Sequence, residues 1–63
     1  MKTYLYLENN GRRVRISKEE ANKRYGEPYM LDVIEDAKRL YKHSLRPYTR
    51  YIVGREVLGI EFK

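Results

Sequence analysis

Residues 3–16 read TYLYLENNGRRVRI, with a run of alternating side chains on either side of Asn10-Gly11. Strict alternation over four to eight residues is typical of a strand that is buried on one side. Asn-Gly is the strongest short hairpin signal, because a type I′ turn needs a positive φ at both central residues. The stretch therefore predicts a β-hairpin whose strands are Thr3–Glu8 and Arg12–Ile16.

A turn centred on Asn10-Gly11 also fixes the register of this hairpin. One side then carries only aliphatic residues, and the other carries tyrosine, glutamate and arginine. The predicted pairs are Leu7 with Val14 and Leu5 with Ile16 on the aliphatic side, and Glu8 with Arg13 and Tyr6 with Arg15 on the polar side. A hairpin of this kind needs an apolar cover on its aliphatic side.

Two helices are predicted after the hairpin. Ser17 and Glu20 form a capping box, which starts a short helix at Lys18. Gly26 ends this helix, and Pro28 suits the first turn of a second, longer helix that ends near residue 43 or 44. Apolar residues recur at helical spacing along the longer helix and should form its buried stripe. The stripe consists of Met30, Val33, Ile34, Ala37, Leu40 and Tyr41.

Residues 48–53 and 56–62 flank Gly54-Arg55 and are rich in β-branched and aromatic side chains. They predict a second hairpin with an apolar side on which Tyr51 faces Leu58. A further pair, Thr49 with Ile60, lies on the same side, and Phe62 continues it.

A helix over residues 47–58 is the competing interpretation of this region, and Gly54 and Gly59 disfavour it. With two hairpins, the predicted fold class is α+β: a small antiparallel sheet of two β-hairpins packed on one long amphipathic helix, which a short helix precedes. The element order is ββααββ, in a single domain over residues 1–63. We expect the aliphatic side of the first hairpin to pack on Met30, Ile34 and Ala37.

Composition excludes several classes of function. The 63 residues include no cysteine and one histidine, His43, so thiolate metal sites, cysteine nucleophiles and multi-histidine sites are excluded. Asp32, Asp36 and His43 share one side of the long helix, but Arg39 lies among them, and a solvated helix face is the preferred interpretation. The chain is also short for a ligand pocket. We therefore expect no catalytic residues, no metal, no cofactor and no enzymatic activity.

The net charge of +5 and the seven tyrosines favour an anionic partner, with nucleic acid ahead of a membrane surface. Arginines can hold phosphates while tyrosines stack on bases. The alternative for this surface is a solvated sheet face with ordinary cross-strand pairs. The candidate binding residues are Tyr4, Tyr6, Arg12, Arg13 and Arg15, extended by Lys18, with Arg46, Arg50 and Arg55 as a second set whose place depends on strand order.

Residues 16–21 (ISKEEA) and 24–26 (RYG) resemble the start of small winged-helix domains of the excisionase and MerR kind, with residues 51–62 as the wing. The resemblance implies DNA binding through the longer helix. The chain departs from that pattern there, because Asp32, Glu35 and Asp36 would repel phosphates. We do not assign the chain to this family.

The sequence thus predicts a cytoplasmic nucleic-acid-binding module, for DNA or RNA, that does not enter a membrane. The rival prediction is a protein-binding regulator or inhibitor, such as a small phage-encoded protein of anti-CRISPR type that blocks a host protein or nucleoprotein complex. Tyrosine and arginine lead the hot spots of protein interfaces, so the same residues serve either partner. Homodimer formation is left open.

Overall fold

The computed structural model describes residues 1–63, which form an α+β fold in the predicted order ββααββ. The competing helix over residues 47–58 is wrong, since this region forms two strands. The elements are β1 (Thr3–Asn9), β2 (Arg12–Ile16), α1 (Lys18–Tyr25), α2 (Glu27–Ser44), β3 (Tyr48–Val53) and β4 (Glu56–Phe62).

All four strands form one antiparallel sheet in the order β2-β1-β4-β3. The two hairpins are joined through β1 and β4, which places Leu5 opposite Ile60 and Tyr6 opposite Gly59. The outer edges of the sheet are β2 and β3, and only these two strands have a free side.

The registers of both hairpins are confirmed. Asn10 has a φ of 50° and Gly11 a φ of 80°, as a turn with two positive φ values requires. The aliphatic pairs of the first hairpin and the apolar pairs of the second form as predicted. They are Leu5–Ile16, Leu7–Val14, Tyr51–Leu58 and Thr49–Ile60.

The ends of the two helices are defined by capping hydrogen bonds and by residues with a positive φ. Ser17 Oγ accepts a hydrogen bond from the backbone N–H of Glu20 at 3.0 Å, which caps α1. Gly26, with a φ of 90°, is the one residue between the helices. At the other end of α2, Leu45 takes a left-handed conformation and its N–H bonds the carbonyl of Tyr41 at 2.9 Å.

Both helices cover the same side of the sheet, and α2 contacts β3 and β4. The first hairpin is therefore only partly covered, and Leu7 near its turn is half-buried. Leu5 and Ile16 are buried as predicted, but the expectation for Val14 is wrong, since 56% of this residue is exposed. Ile34 is half-buried. The buried core consists of Leu5, Ile16, Ala21, Met30, Val33, Ala37, Leu58, Ile60 and Phe62.

Candidate functional site

The side of the sheet that faces away from the helices is uncovered, and we call it the open face. Since successive side chains of a strand point to opposite sides, the strand registers identify its members. The open face is formed by Tyr4, Tyr6 and Glu8 of β1, Arg13 and Arg15 of β2, Val57, Gly59 and Glu61 of β4, and Tyr48, Arg50 and Ile52 of β3.

Tyr48 crosses the open face from the β3 edge toward β1. Its ring lies over Gly59, which has no side chain, and its hydroxyl donates a hydrogen bond to Glu8 Oε2. Burial, together with this bond to a carboxylate, raises the pKa of Tyr48 to about 12. The contact joins β3 to β1 across β4, so the two hairpins are tied by a side chain as well as by backbone bonds.

Tyr6 lies beside Tyr48 at the centre of the open face. The two rings meet edge to face with their centroids 6.1 Å apart. The Tyr6 hydroxyl donates to Glu61 Oε1 at 3.0 Å, and this bond is the main reason that the pKa of Tyr6 is raised. Both hydroxyl groups are therefore used inside the protein rather than offered to a ligand.

Two arginines of β2 lie on tyrosine rings. The Cζ atom of Arg13 is 4.0 Å from the centroid of Tyr48, and that of Arg15 is 4.3 Å from the centroid of Tyr4. A guanidinium group over an aromatic ring is held by the ring quadrupole and by stacking. The side chains that the sequence predicted as separate stacking and phosphate-binding groups are thus combined into Arg–Tyr pairs.

The open face is cationic. Lys2 and Lys63 extend it at one end, because each donates its backbone N–H to the carbonyl of the other, at 2.7 and 2.9 Å. Each of the two carboxylates has a cation nearby: Glu8 is 3.8 Å from Arg50, and Glu61 is 3.9 Å from Lys63. Five cationic side chains therefore face two carboxylates, and the surplus charge is positive. The five are Lys2, Arg13, Arg15, Arg50 and Lys63.

The other predicted binding residues lie elsewhere. Arg12 is on the helix side of β2 by strand alternation, and Lys18 begins α1. Arg55 lies in the turn between β3 and β4 and borders a groove on the helix side. Arg46 comes just before Pro47, whose carbonyl accepts the last bond of the β3–β4 ladder at 2.9 Å. Of the second predicted set, only Arg50 joins the predicted tyrosines and arginines on the open face.

Sequence reasoning placed Glu8 on the polar side of the first hairpin, but it missed Tyr48 and Glu61 as parts of this surface. The alternation Tyr48-x-Arg50-x-Ile52 was visible in the sequence, and it predicts that these three side chains share one side of β3. That this side is also the side of Tyr6 follows only from the pairing of β1 with β4.

The helix side carries a groove of about 450 Å³ beyond the end of the core. Leu7 and Val14 line it, and Arg24 and Glu56 lie at its rim. Arg24 Nη1 and the Tyr25 hydroxyl both bond the Glu56 carboxylate, each at 2.9 Å. Burial and this bond raise the pKa of Tyr25 to about 12. These contacts join α1 to the second hairpin.

The carboxylates of α2 show no metal-site geometry. Asp36 accepts hydrogen bonds from the Tyr51 hydroxyl and from Arg39, and these bonds lower its pKa. No three histidine or carboxylate side chains come together as ligands. The helix face that contains Asp32, Asp36 and His43 thus joins α2 to the sheet through Asp36.

Comparison of the chain with models of protein families, with curated protein sequences and with solved structures finds no match in any of the three. Neither helix has the length and apolar character needed to cross a membrane. Functional inference therefore depends on the geometry of the open face.

Proposed function

We propose that this chain is a small basic binding module whose open face holds nucleic acid in single-stranded form. The observation that carries the proposal is the placement of Arg13 over Tyr48 and Arg15 over Tyr4 on an uncovered cationic sheet. A planar guanidinium group that rests on a ring with one face has its other face free to stack on a base. Its N–H groups lie at the edge of the plane, where they can bind a phosphate.

The flat surface favours single strands over a duplex. In a duplex the base faces are stacked on one another, so a sheet can reach only phosphates and groove edges. In a single strand the bases can turn toward the sheet and stack there, while the backbone follows the positive charge. A strand lying across the open face would meet Arg15 and Arg13 on one edge and Arg50 on the other.

The tyrosines have a supporting role in this proposal. Tyr48 and Tyr4 lie under arginines, and Tyr6 supports Tyr48 from the side. The rings hold the guanidinium groups in place, so that less rotamer freedom is lost when a ligand binds. Removing a ring should therefore weaken binding through the arginine that it orients.

A protein partner is the second candidate, and a specific observation favours it. Ile52 is 80% exposed on the open face, two residues from Arg50. Hot spots of protein interfaces typically combine arginines and tyrosines with an apolar residue of this kind. In this case the module would be a regulator or inhibitor that docks on an acidic protein surface or on a nucleoprotein complex.

The deciding experiment is a salt titration of binding to labelled single-stranded DNA, single-stranded RNA and duplex DNA. The variants are Arg15→Ala, on the open face, and Arg12→Ala, a matched control that removes the same charge from the helix side of the same strand. Loss of one phosphate contact should flatten the slope of log affinity against log salt by roughly 0.7 units for a single strand. We expect this change for Arg15→Ala and little change for Arg12→Ala.

Two outcomes would contradict the proposal. If the wild type binds none of the three probes at low salt, the nucleic-acid function is wrong and the protein partner remains. If Arg12→Ala and Arg15→Ala weaken binding equally, the interaction depends on net charge and not on the open face.

A further inference from the structure

The two edges of the sheet differ in charge. The β2 edge carries Arg12, Arg13 and Arg15 within five residues, and such a row of like charges opposes pairing with another strand. The β3 edge carries one charge, Arg50, among tyrosine, threonine, isoleucine and valine. Ile52 on this edge is 80% exposed. An edge of six residues with a single charge and high strand propensity is the kind that pairs with a further strand.

The β3 edge also has free backbone groups in a regular row. The N–H of Phe62 bonds the carbonyl of Pro47 at 2.9 Å, which identifies this pair as hydrogen-bonded. In an antiparallel ladder hydrogen-bonded and non-hydrogen-bonded pairs alternate. The residues of β3 that point their backbone groups away from β4 are therefore Tyr48, Arg50 and Ile52.

We propose that two copies of this chain pair antiparallel through their β3 strands. The register places Arg50 of each copy opposite Ile52 of the other, and Tyr51 lies on the two-fold axis. In this register the backbone N–H and C=O groups of Arg50 and Ile52 that point away from β4 bond those of the other copy. Residues that lie directly opposite each other also have their side chains on the same side of the sheet. The result is an eight-stranded sheet with all helices on one side and both open faces on the other.

The pairing is self-complementary, which is why a second copy is the occupant that the edge fits. In the chosen register no like charges lie opposite each other, because the one charged residue of β3 faces an isoleucine. A neighbouring register that also pairs outward groups would place Arg50 opposite Arg50, and like charges directly opposite destabilise a sheet. Charge therefore disfavours that register, whereas the proposed one forms four backbone hydrogen bonds between its two Arg50–Ile52 pairs.

The first test measures mass in solution without nucleic acid, so its result is independent of the proposed function. At high protein concentration we expect sedimentation to give twice the 7.7 kDa of the chain. Ile52→Lys places a second charge on the β3 edge, opposite Arg50 of the other copy, and should give a monomer. Val14→Lys is the matched control, since Val14 is an exposed apolar residue of the β2 edge, and it should remain a dimer.

The second test reports the register and uses the absence of cysteine from the chain. An equal mixture of Arg50→Cys and Ile52→Cys chains should oxidise mainly to the mixed disulfide, because these two positions face each other across the axis. This test also decides the matter if Ile52→Lys fails to fold. A wild type that stays monomeric at all concentrations, a dimer that Val14→Lys disrupts as strongly as Ile52→Lys, or cross-linking in statistical proportions would overturn the proposal.

Discussion

Tyr48 lies across Gly59 on the open face and fills the space that a side chain at residue 59 would need. A Cβ atom at that position would come within 2.6 Å of Cζ and 2.9 Å of Cε1 of Tyr48. The same tyrosine bonds Glu8 and supports Arg13, so this one glycine allows the contact between β3 and the first hairpin.

Gly59→Ala should destabilise the protein although alanine is the better residue for a strand. The methyl group would force the Tyr48 ring away, and its bond to Glu8 and its contact with Arg13 would be lost. We expect a loss of about 1–3 kcal/mol in the free energy of unfolding, measured by urea denaturation. In a Tyr48→Ala background the same substitution should be neutral or favourable by about 0.5–1 kcal/mol. An equal loss in both backgrounds would contradict the role given to this contact.

Alkaline pH should destabilise the fold. Burial and carboxylate partners raise the pKa of Tyr48 and of Tyr25 to about 12, against an ordinary value of 10. Between pH 10 and pH 12 the unfolded chain releases protons that the folded chain retains. The stability that these tyrosines contribute is therefore fully present below pH 10 and is lost as the pH rises toward 12. Urea denaturation as a function of pH measures the decline. Tyr48→Phe and Tyr25→Phe should each make it less steep, and an unchanged profile would contradict the assignment.

Truncation of two apolar residues, Met30 and Val14, should change stability by very different amounts. Met30 has no exposed surface, so Met30→Ala should leave a cavity and cost about 2–5 kcal/mol, enough to unfold much of so small a domain. Val14→Ala should change stability by no more than about 0.5 kcal/mol, because Val14 is mostly exposed. Thermal melts of the two variants provide the comparison. A large loss for Val14→Ala would show that the first hairpin is covered in solution.

The local structure could be predicted because each element has its own signal. Asn10-Gly11 specifies a turn that only one register of the hairpin satisfies, and the capping box at Ser17 and Glu20 specifies the start of a helix. These signals act within a few residues, and the structure confirms them. The sequence also placed Tyr6, Arg13 and Arg15 on one side of the first hairpin, although Arg12, predicted to extend that surface, lies on the other side.

The composition of the site could not be predicted, because it depends on which strands are neighbours. Alternation reveals which side chains share a side of one strand but not which strand lies beside it. The pairing of β1 with β4 brings Tyr48 and Glu61 to Tyr6, with sequence separations of 42 and 55 residues. The exposure of Val14 has the same origin, because the position of α2 over β3 and β4 is a property of the assembled sheet.

The end of α2 offers a stabilising substitution that leaves the open face unchanged. Leu45 has a φ of 51° and a ψ of 36°, and 79% of it is exposed, so it contributes little packing. A left-handed conformation costs a residue with a Cβ roughly 1–2 kcal/mol, and glycine avoids most of this cost. Leu45→Gly should therefore raise the free energy of unfolding by about 0.5–1 kcal/mol, after allowance for the greater freedom of glycine in the unfolded chain.

Leu31→Gly is the matched control for this substitution. Leu31 is also exposed, at 52%, but it lies within α2, where glycine has no conformational advantage. The same change of side chain should there lower stability by about 1 kcal/mol, because glycine is a poor helix former. Opposite signs in urea denaturation of the two variants would locate the effect in the backbone conformation of residue 45. A loss of stability in both would mean that the Leu45 side chain makes contacts in solution that outweigh its strain.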